Sequence, residues 1–310
     1  MTAAARKIAL ADSGPDIREM IADWKIYIGQ LSPATIKIYI RSVERLATWL
    51  EDNEFDTGVA GIGHKTLTLF MNSLTGAESS RSQVYRSIQQ FFRWLVEVEE
   101  EIPAPSPMTK VPAPSQKPVP VPVMATEDLR RLVDTVRKDN SFEGRRDHAI
   151  LRVLIDNGVR IGELEGMTVQ DVDRELYRIT VTGKTGTRIL SAERKTMEAL
   201  TRYLRVRGRH SMAGKPDLWL PVKGSQKLTH WGLRQIVERR VEEAGLTGRI
   251  YPHKLRHTWA HRWMANGNST QDLAHNAGWS STAMASRYGA SAQAERARAA
   301  ALRANLAEEI

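Results

Sequence analysis

The sequence predicts a mainly α-helical protein of two domains, with one small β-hairpin in the second. Three observations predict it. Apolar residues recur at helical spacing in stretch after stretch. A segment from Pro103 to Pro122 holds eight of the chain's thirteen prolines and divides that pattern in two. Beyond it, two short runs rich in β-branched residues flank Gly183-Lys184-Thr185-Gly186, a hairpin signature.

Taken in order, residues 1–13 read as a flexible tail. Ile17, Met20, Ile21, Trp24 and Ile28 then form the apolar face of a first helix over 16–28. Ser32-Pro33 opens a second, a capping residue followed by proline where a missing N–H costs nothing, running to about Leu50. A third helix spans roughly 65–74. A fourth starts near Ser79 and runs through Val84, Ile88, Phe91, Phe92 and Leu95 to Val98. Residues 14–102 are thus expected to be an all-helical domain. Residues 103–123 cannot continue as helix and are expected to be an extended, semi-rigid strap.

The second domain, expected over 124–290, begins with a helix capped by Thr126. Another follows from about Glu143 to Asn157 and ends at Gly158. The hairpin pairs 177–182 with 187–190, with Lys184 in its turn. Helices are expected at about 192–207 and 229–244, with a short strand Asp217-Leu218-Trp219-Leu220-Pro221 between them. Residues 291–310 are alanine-rich and read as a last helix.

Composition narrows the partners. The chain of 310 residues has no cysteine, which excludes disulfides, thiolate metal sites and a cysteine nucleophile, and fits an intracellular protein. No apolar run approaches the roughly 18 residues of a membrane span, and the N-terminus lacks the apolar core of an export signal. The net charge is +9. The first 102 residues hold 11 basic and 14 acidic side chains, so the basic excess lies wholly in the remainder. A polyanion partner and a merely basic soluble domain both accord with that balance.

The densest chemistry lies between Tyr251 and Gly289. Pro252 suits the first turn of a helix, and His253 and Arg256, three apart, then share a face. A guanidinium fork beside an imidazole suits a phosphate. Gly278-Trp279-Ser280-Ser281 reads as a turn and cap, after which a short helix leads to Tyr288. Upstream, Arg160 follows Gly158 with Glu163 three residues on. Singly, each has an ordinary reading. Arg160 pairs with Glu163, Lys184 is a turn lysine, His253 is structural, and Trp279 and Tyr288 are core aromatics.

Together these residues resemble the tyrosine recombinases, the phage integrase family. The resemblance rests on Arg160 in NGVRIGEL, Lys184 in a hairpin, HKLRH at 253–257, GWSS at 278–281, and Tyr288 nine residues after Trp279. SPATIKIYIRSVERLATWL also resembles that family's core-binding domain. The resemblance implies an N-terminal helical, SAM-like core-binding domain and a C-terminal catalytic domain. It implies that Tyr288 attacks a DNA phosphorus, forming a 3′-phosphotyrosyl link and releasing a 5′-hydroxyl. Arg160 and Arg256 would clamp the non-bridging oxygens, His253 would act in proton transfer with the tyrosine, and Lys184 would protonate the leaving oxygen. Glu163 would orient Arg160 and also His253, and His257 would be structural. Trp279 stands where histidine is commoner. Its indole donates a hydrogen bond but cannot shuttle a proton.

No metal, nucleotide or other cofactor is implied. There is no phosphate-binding glycine loop. His253, His257 and His261 repeat every four residues, but Lys254 stands where a zinc peptidase helix needs glutamate. The resemblance further implies a double-stranded DNA recombination site as partner. It implies a tetramer on DNA linked by exchange of the C-terminal helix, a monomer or dimer when free, and accessory factors. A cytoplasmic, nucleoid-associated bacterial enzyme is expected. The helical module starts within about fifteen residues of Met1, leaving no room for an arm-binding domain and suggesting a Xer-type or small phage integrase. Lys37, Arg41, Arg45, Arg81 and Arg86 are expected to form the DNA-facing side of the first domain. A type IB topoisomerase and a catalytically silent DNA-binding regulator are the rival readings.

Overall fold

The computed structural model describes residues 13–115, 122–224, 226–292, 296–298 and 300–301. The chain divides into two compact units, 1–118 and 119–310.

Among the described residues, the first unit has four α-helices: α1 (Ile17–Tyr27), α2 (Pro33–Asp52), α3 (His64–Ser73) and α4 (Glu78–Glu97). Asp16 caps α1 by accepting from the Arg18 N–H, and Ser32 caps α2 by accepting from the Thr35 N–H. The apolar stripes read from the sequence meet at Trp24. Its indole stacks on Tyr39 (5.7 Å, 5°) and meets the edge of Phe91 at 5.2 Å. Losing such a fully buried indole costs about 3–5 kcal/mol.

The proline-rich segment departs from the expected extended strap over its first half. Pro107–Lys110 forms a 3₁₀ turn, Met108 and Val111 are buried in the helical unit's core, and the Tyr85 hydroxyl donates to the Val111 carbonyl at 3.2 Å. The prolines forbid α-helix, but the two apolar residues between them still gain more from burial than from staying extended in water.

The second unit is built around α6 (Phe142–Asn157), between α5 (Thr126–Arg137) and α8 (Arg194–Arg207), with α10 (Pro252–Ala265) also packed on it. Ala149, Ile150, Leu151, Val153 and Leu154 are all fully buried, and Arg146, Asp147 and His148 are buried beside them, so neighbouring elements cover this central helix on most of its faces. Thr126 is not the cap of α5. Ala125 takes that position with no side-chain bond, and Thr126 is the first helical residue.

Three antiparallel strands follow the short α7 (Ile161–Gly166), in the order β1 (Val172–Asp173), β2 (Arg178–Gly183), β3 (Gly186–Ser191). The hairpin stands where expected. Gly183 pairs with Gly186 and leaves Lys184 and Thr185 as its turn. β1 has only two residues, too few to leave a pattern in sequence. The expected strand at 217–221 does not form. Only Asp217 makes an isolated bridge, to Thr168, while Leu218, Trp219 and Leu220 are all buried. The segment is held instead by Trp219 Nε1 donating to the Leu164 carbonyl at 2.8 Å and by the Leu218 N–H donating to Met167 at 2.9 Å. The remaining helices are α9 (His230–Glu243), α11 (Thr270–Ala277) and α12 (Thr282–Ser291). Among the described residues no helix is long and apolar enough to cross a membrane.

Candidate active site

Two glycines at helix ends make the site possible. Gly158 closes α6 at φ 58°, and Gly278 closes α11 at φ 61°. Both adopt the left-handed conformation that side chains resist. A Cβ on Gly158 would also lie 2.2 Å from the Trp259 ring. Past Gly158 the chain turns immediately into α7, with Arg160 at its N-cap.

The end of α11 then holds three arginines by consecutive carbonyls. Arg188 Nε donates to Asn276 at 2.8 Å, Arg256 NH2 to Ala277 at 2.5 Å, and Arg160 NH2 to Gly278 at 2.7 Å. The last carbonyls of a helix have no partner within it and carry its negative dipole end, so cations are stabilised there. Arg256 NH1 also donates to the Gly158 carbonyl at 2.5 Å. Thr185, in the hairpin turn, donates to the Gly278 carbonyl at 3.1 Å and ties the Lys184 turn to the same point.

Glu163 sits behind two of these arginines and is 2% exposed. It accepts from Arg160 NH1 at 2.7 Å, from Arg188 NH1 and NH2 at 2.9 and 2.8 Å, and from the Arg160 backbone N–H at 2.8 Å. Burial alone pushes its carboxyl up, but the bonds from Arg188 and Arg160 outweigh that and hold it at about 2. Arg256 is itself 2% exposed, and burial next to Arg160 lowers its pKa to about 10. It remains charged at neutral pH.

A cavity of about 660 Å³ opens in front of these groups, lined by Arg160, Glu163, Lys184, His253 and Arg256 among others. Lys184 is exposed at the hairpin turn. His253 lies on the first turn of α10, where partial desolvation and the charges of Arg256 and Arg160 lower its pKa. The structure therefore brings together residues that the sequence spreads from 160 to 256.

Tyr288 does not line this cavity. It is 2% exposed, stacked parallel on Trp279 with centroids 5.4 Å apart and planes 3° apart. The Arg256 guanidinium lies over the same Trp279 ring at 5.3 Å. The Tyr288 hydroxyl is hydrogen-bonded to Nδ1 of His257. The His257 ring is in turn 4.2 Å from that of His253, edge to face.

Sequence reasoning missed Arg188. Its signal lay in the hairpin register: Arg188 pairs with Val181, whose side chain is buried, and Leu190 pairs with Ile179. An arginine in phase with an apolar face needs a buried acid, and Glu163 supplies it.

In the first unit, Lys37, Arg41 and Arg45 follow one another at four-residue steps along α2 and are exposed. Arg86 on α4 is exposed and donates to the Ser82 carbonyl at 3.2 Å, while Arg81 is half-buried. Of the expected C-terminal helix over 291–310, Ser291 instead ends α12, residue 292 is a turn, residues 296–298 and 300–301 are helical, and 293–295, 299 and 302–310 lie outside the described residues.

Residues 122–295 match the Phage integrase family. The chain is 31% identical over 263 residues to a tyrosine recombinase XerC of Oceanobacillus iheyensis, covering 81% of this chain and 84% of that one. It is 26% identical to a tyrosine recombinase XerC of Pelobacter propionicus, covering 83% and 85%. Among solved structures, the fold is similar to the Tn1549 transposon integrase in complex with transposon right end DNA. The TM-score is 0.71 at 18% identity, over 93% of this chain and 99% of that one. It is equally similar to the XerH site-specific recombinase bound to a palindromic difH substrate, with TM-score 0.71 at 18% identity, over 87% and 80%.

Proposed function

The chain belongs to the phage integrase family of tyrosine recombinases and is a site-specific DNA recombinase, and we propose that Tyr288 is its nucleophile. The observation that carries the assignment of roles is the cavity shared by Arg160, Lys184, His253 and Arg256. A DNA phosphate seated there meets two guanidiniums already fixed by carbonyls and a carboxylate. Each guanidinium has five N–H donors, and those bonds leave several for the phosphate. Donors held in place before the reaction stabilise the developing negative charge without reorganising, an effect often worth several kcal/mol.

Cleavage forms a bond from the Tyr288 oxygen to phosphorus and breaks the bond to the 5′-oxygen, which takes a proton from Lys184. The phosphotyrosyl link conserves the energy of the broken ester, so rejoining needs no nucleotide. Burial, and then the arginines' charges, weaken His253 as a base in the DNA-free protein. A bound phosphate offsets those charges and returns the imidazole toward its ordinary range. Tyr288 lies outside the cavity lining, so cleavage also requires its oxygen to be brought to the phosphate.

The partner is a double-stranded DNA recombination site. Lys37, Arg41 and Arg45 supply a cationic stripe from the first domain, with Arg86 and Arg81 on α4. Four protomers assemble on DNA through exchange of the C-terminal segment, and the enzyme acts in the bacterial cytoplasm at the nucleoid.

The test is a suicide substrate nicked beside the cleavage position, so that the covalent adduct is trapped. Wild type forms the adduct and Tyr288→Phe forms none while still binding DNA. Absence of the adduct with wild type on its own site would leave the protein a DNA-binding regulator. An adduct without strand exchange between two sites would make it a topoisomerase.

A further inference from the structure

The site contains two imidazoles one helical turn apart on α10, and the structure gives them different neighbours. His253 faces the cavity with Arg160, Lys184 and Arg256. His257 meets the tyrosine through Nδ1. We propose that His257 is a catalytic residue that accepts the proton of the Tyr288 hydroxyl during cleavage and returns it during rejoining. This rests on the assignment of Tyr288 as nucleophile.

The geometry is the first argument, because a general base must lie within hydrogen-bond reach of the proton it removes. His257 does so, and its ring touches that of His253, so the phenol oxygen is one imidazole away from the cavity wall. The four-residue step along α10 puts both rings on one face. One meets the phosphate's side of the reaction and the other the nucleophile's.

The neighbouring groups are the second argument. Trp279, stacked on Tyr288, has only an indole N–H and cannot accept a proton. Glu163 is committed to Arg160 and Arg188. Burial, with the charges of Arg256 and Arg160, holds the pKa of His253 down until a phosphate offsets those charges, and His253 faces the phosphate's side of the site. A phenol of ordinary pKa near 10 is a weak nucleophile in a buried setting. Passing its proton to an adjoining imidazole as the bond to phosphorus forms avoids a free buried phenolate. The proton balance closes: His257 Nδ1 gains the Tyr288 proton while Lys184 gives one to the 5′-oxygen, and rejoining reverses both.

The experiment measures single-turnover adduct formation on suicide DNA with either oxygen or sulfur at the bridging 5′ position. A thiolate leaves without a proton, so sulfur restores Lys184→Ala. His257→Ala is expected to lose on the order of a hundredfold on both substrates. Free imidazole should recover part of that loss. His257→Asn, which keeps a hydrogen-bonding group but not a base, should bind DNA normally and stay slow without recovery. Wild-type cleavage by His257→Ala, restoration of its rate by sulfur, or failure of imidazole to recover any of it would overturn the proposal. Should Tyr288→Phe still form an adduct, the nucleophile assignment fails instead, whatever His257 does.

Discussion

Replacing Glu163 by glutamine tests the electrostatic frame of the site. The carboxylate is 2% exposed and receives four hydrogen bonds, three from guanidiniums and one from backbone. Its pKa is about 2 in the folded protein against an ordinary 4.5. Each tenfold difference in proton affinity is worth about 1.4 kcal/mol, so the ionised form contributes about 3 kcal/mol at neutral pH. The folded-state value is the lower one. The contribution is therefore fully present above pH 4.5 and is lost as the pH falls through that range toward 2. Glu163→Gln removes the charge at every pH and also turns an amide N–H₂ toward arginine donors. The assay is urea unfolding of wild type and variant between pH 7 and pH 3. The stability gap between them should narrow by about 2 kcal/mol over that interval. A gap that stays constant with pH would mean that the carboxylate's charge does not support the fold, and the reasoning about the arginine pair would fail with it.

Two further outcomes follow from the proposed DNA interface. Replacing Lys37, Arg41 and Arg45 together by glutamine should weaken binding to a single site and flatten its salt dependence, by about one in the log–log slope for each phosphate that is no longer neutralised. An unchanged slope would place the DNA elsewhere on the first domain. Deleting the residues after Ser291 should impair synapsis or cleavage while single-site binding, measured by gel shift, stays near wild type. Normal recombination by the truncated protein would show that its own domain sets Tyr288.

Most of the fold was legible because its signals are local. Proline after Ser32, glycine at 158 and glycines around the Lys184 turn each act on two or three neighbouring dihedrals, and the structure follows them. Two of the misreadings share one cause, burial competing with local rule. The proline segment looked extended, yet Met108 and Val111 fold it onto the helices. Leu218, Trp219 and Leu220 looked like a strand, but all three side chains are buried, the Leu218 N–H and the Trp219 indole donate to the end of α7, and the Leu220 N–H donates to the Tyr203 hydroxyl. In the site, motif residues could be named from the sequence, whereas their partners could not. Arg188 has no motif of its own. It becomes visible only once the hairpin register puts it beside Val181 and tertiary packing brings Glu163 to it.

The cradle at the end of α11 links parts that the sequence keeps far apart. Asn276, Ala277 and Gly278 each bind one arginine, from β3, α10 and the start of α7 respectively. The next residue, Trp279, is the platform on which Tyr288 stacks and over which Arg256 lies. The carbonyls that hold the proposed phosphate clamp and the ring on which Tyr288 rests thus belong to adjacent residues at one helix end. That helix end cannot shift without disturbing both. Helices α11 and α12 also pack on each other and on α10. A continuous run of contacts thus leads from α12 through Trp279 to the three carbonyls. Under the proposed roles, cleavage tied to correct assembly gains from that arrangement, because the proposed nucleophile and the groups proposed to hold the phosphate are positioned by the same few backbone atoms.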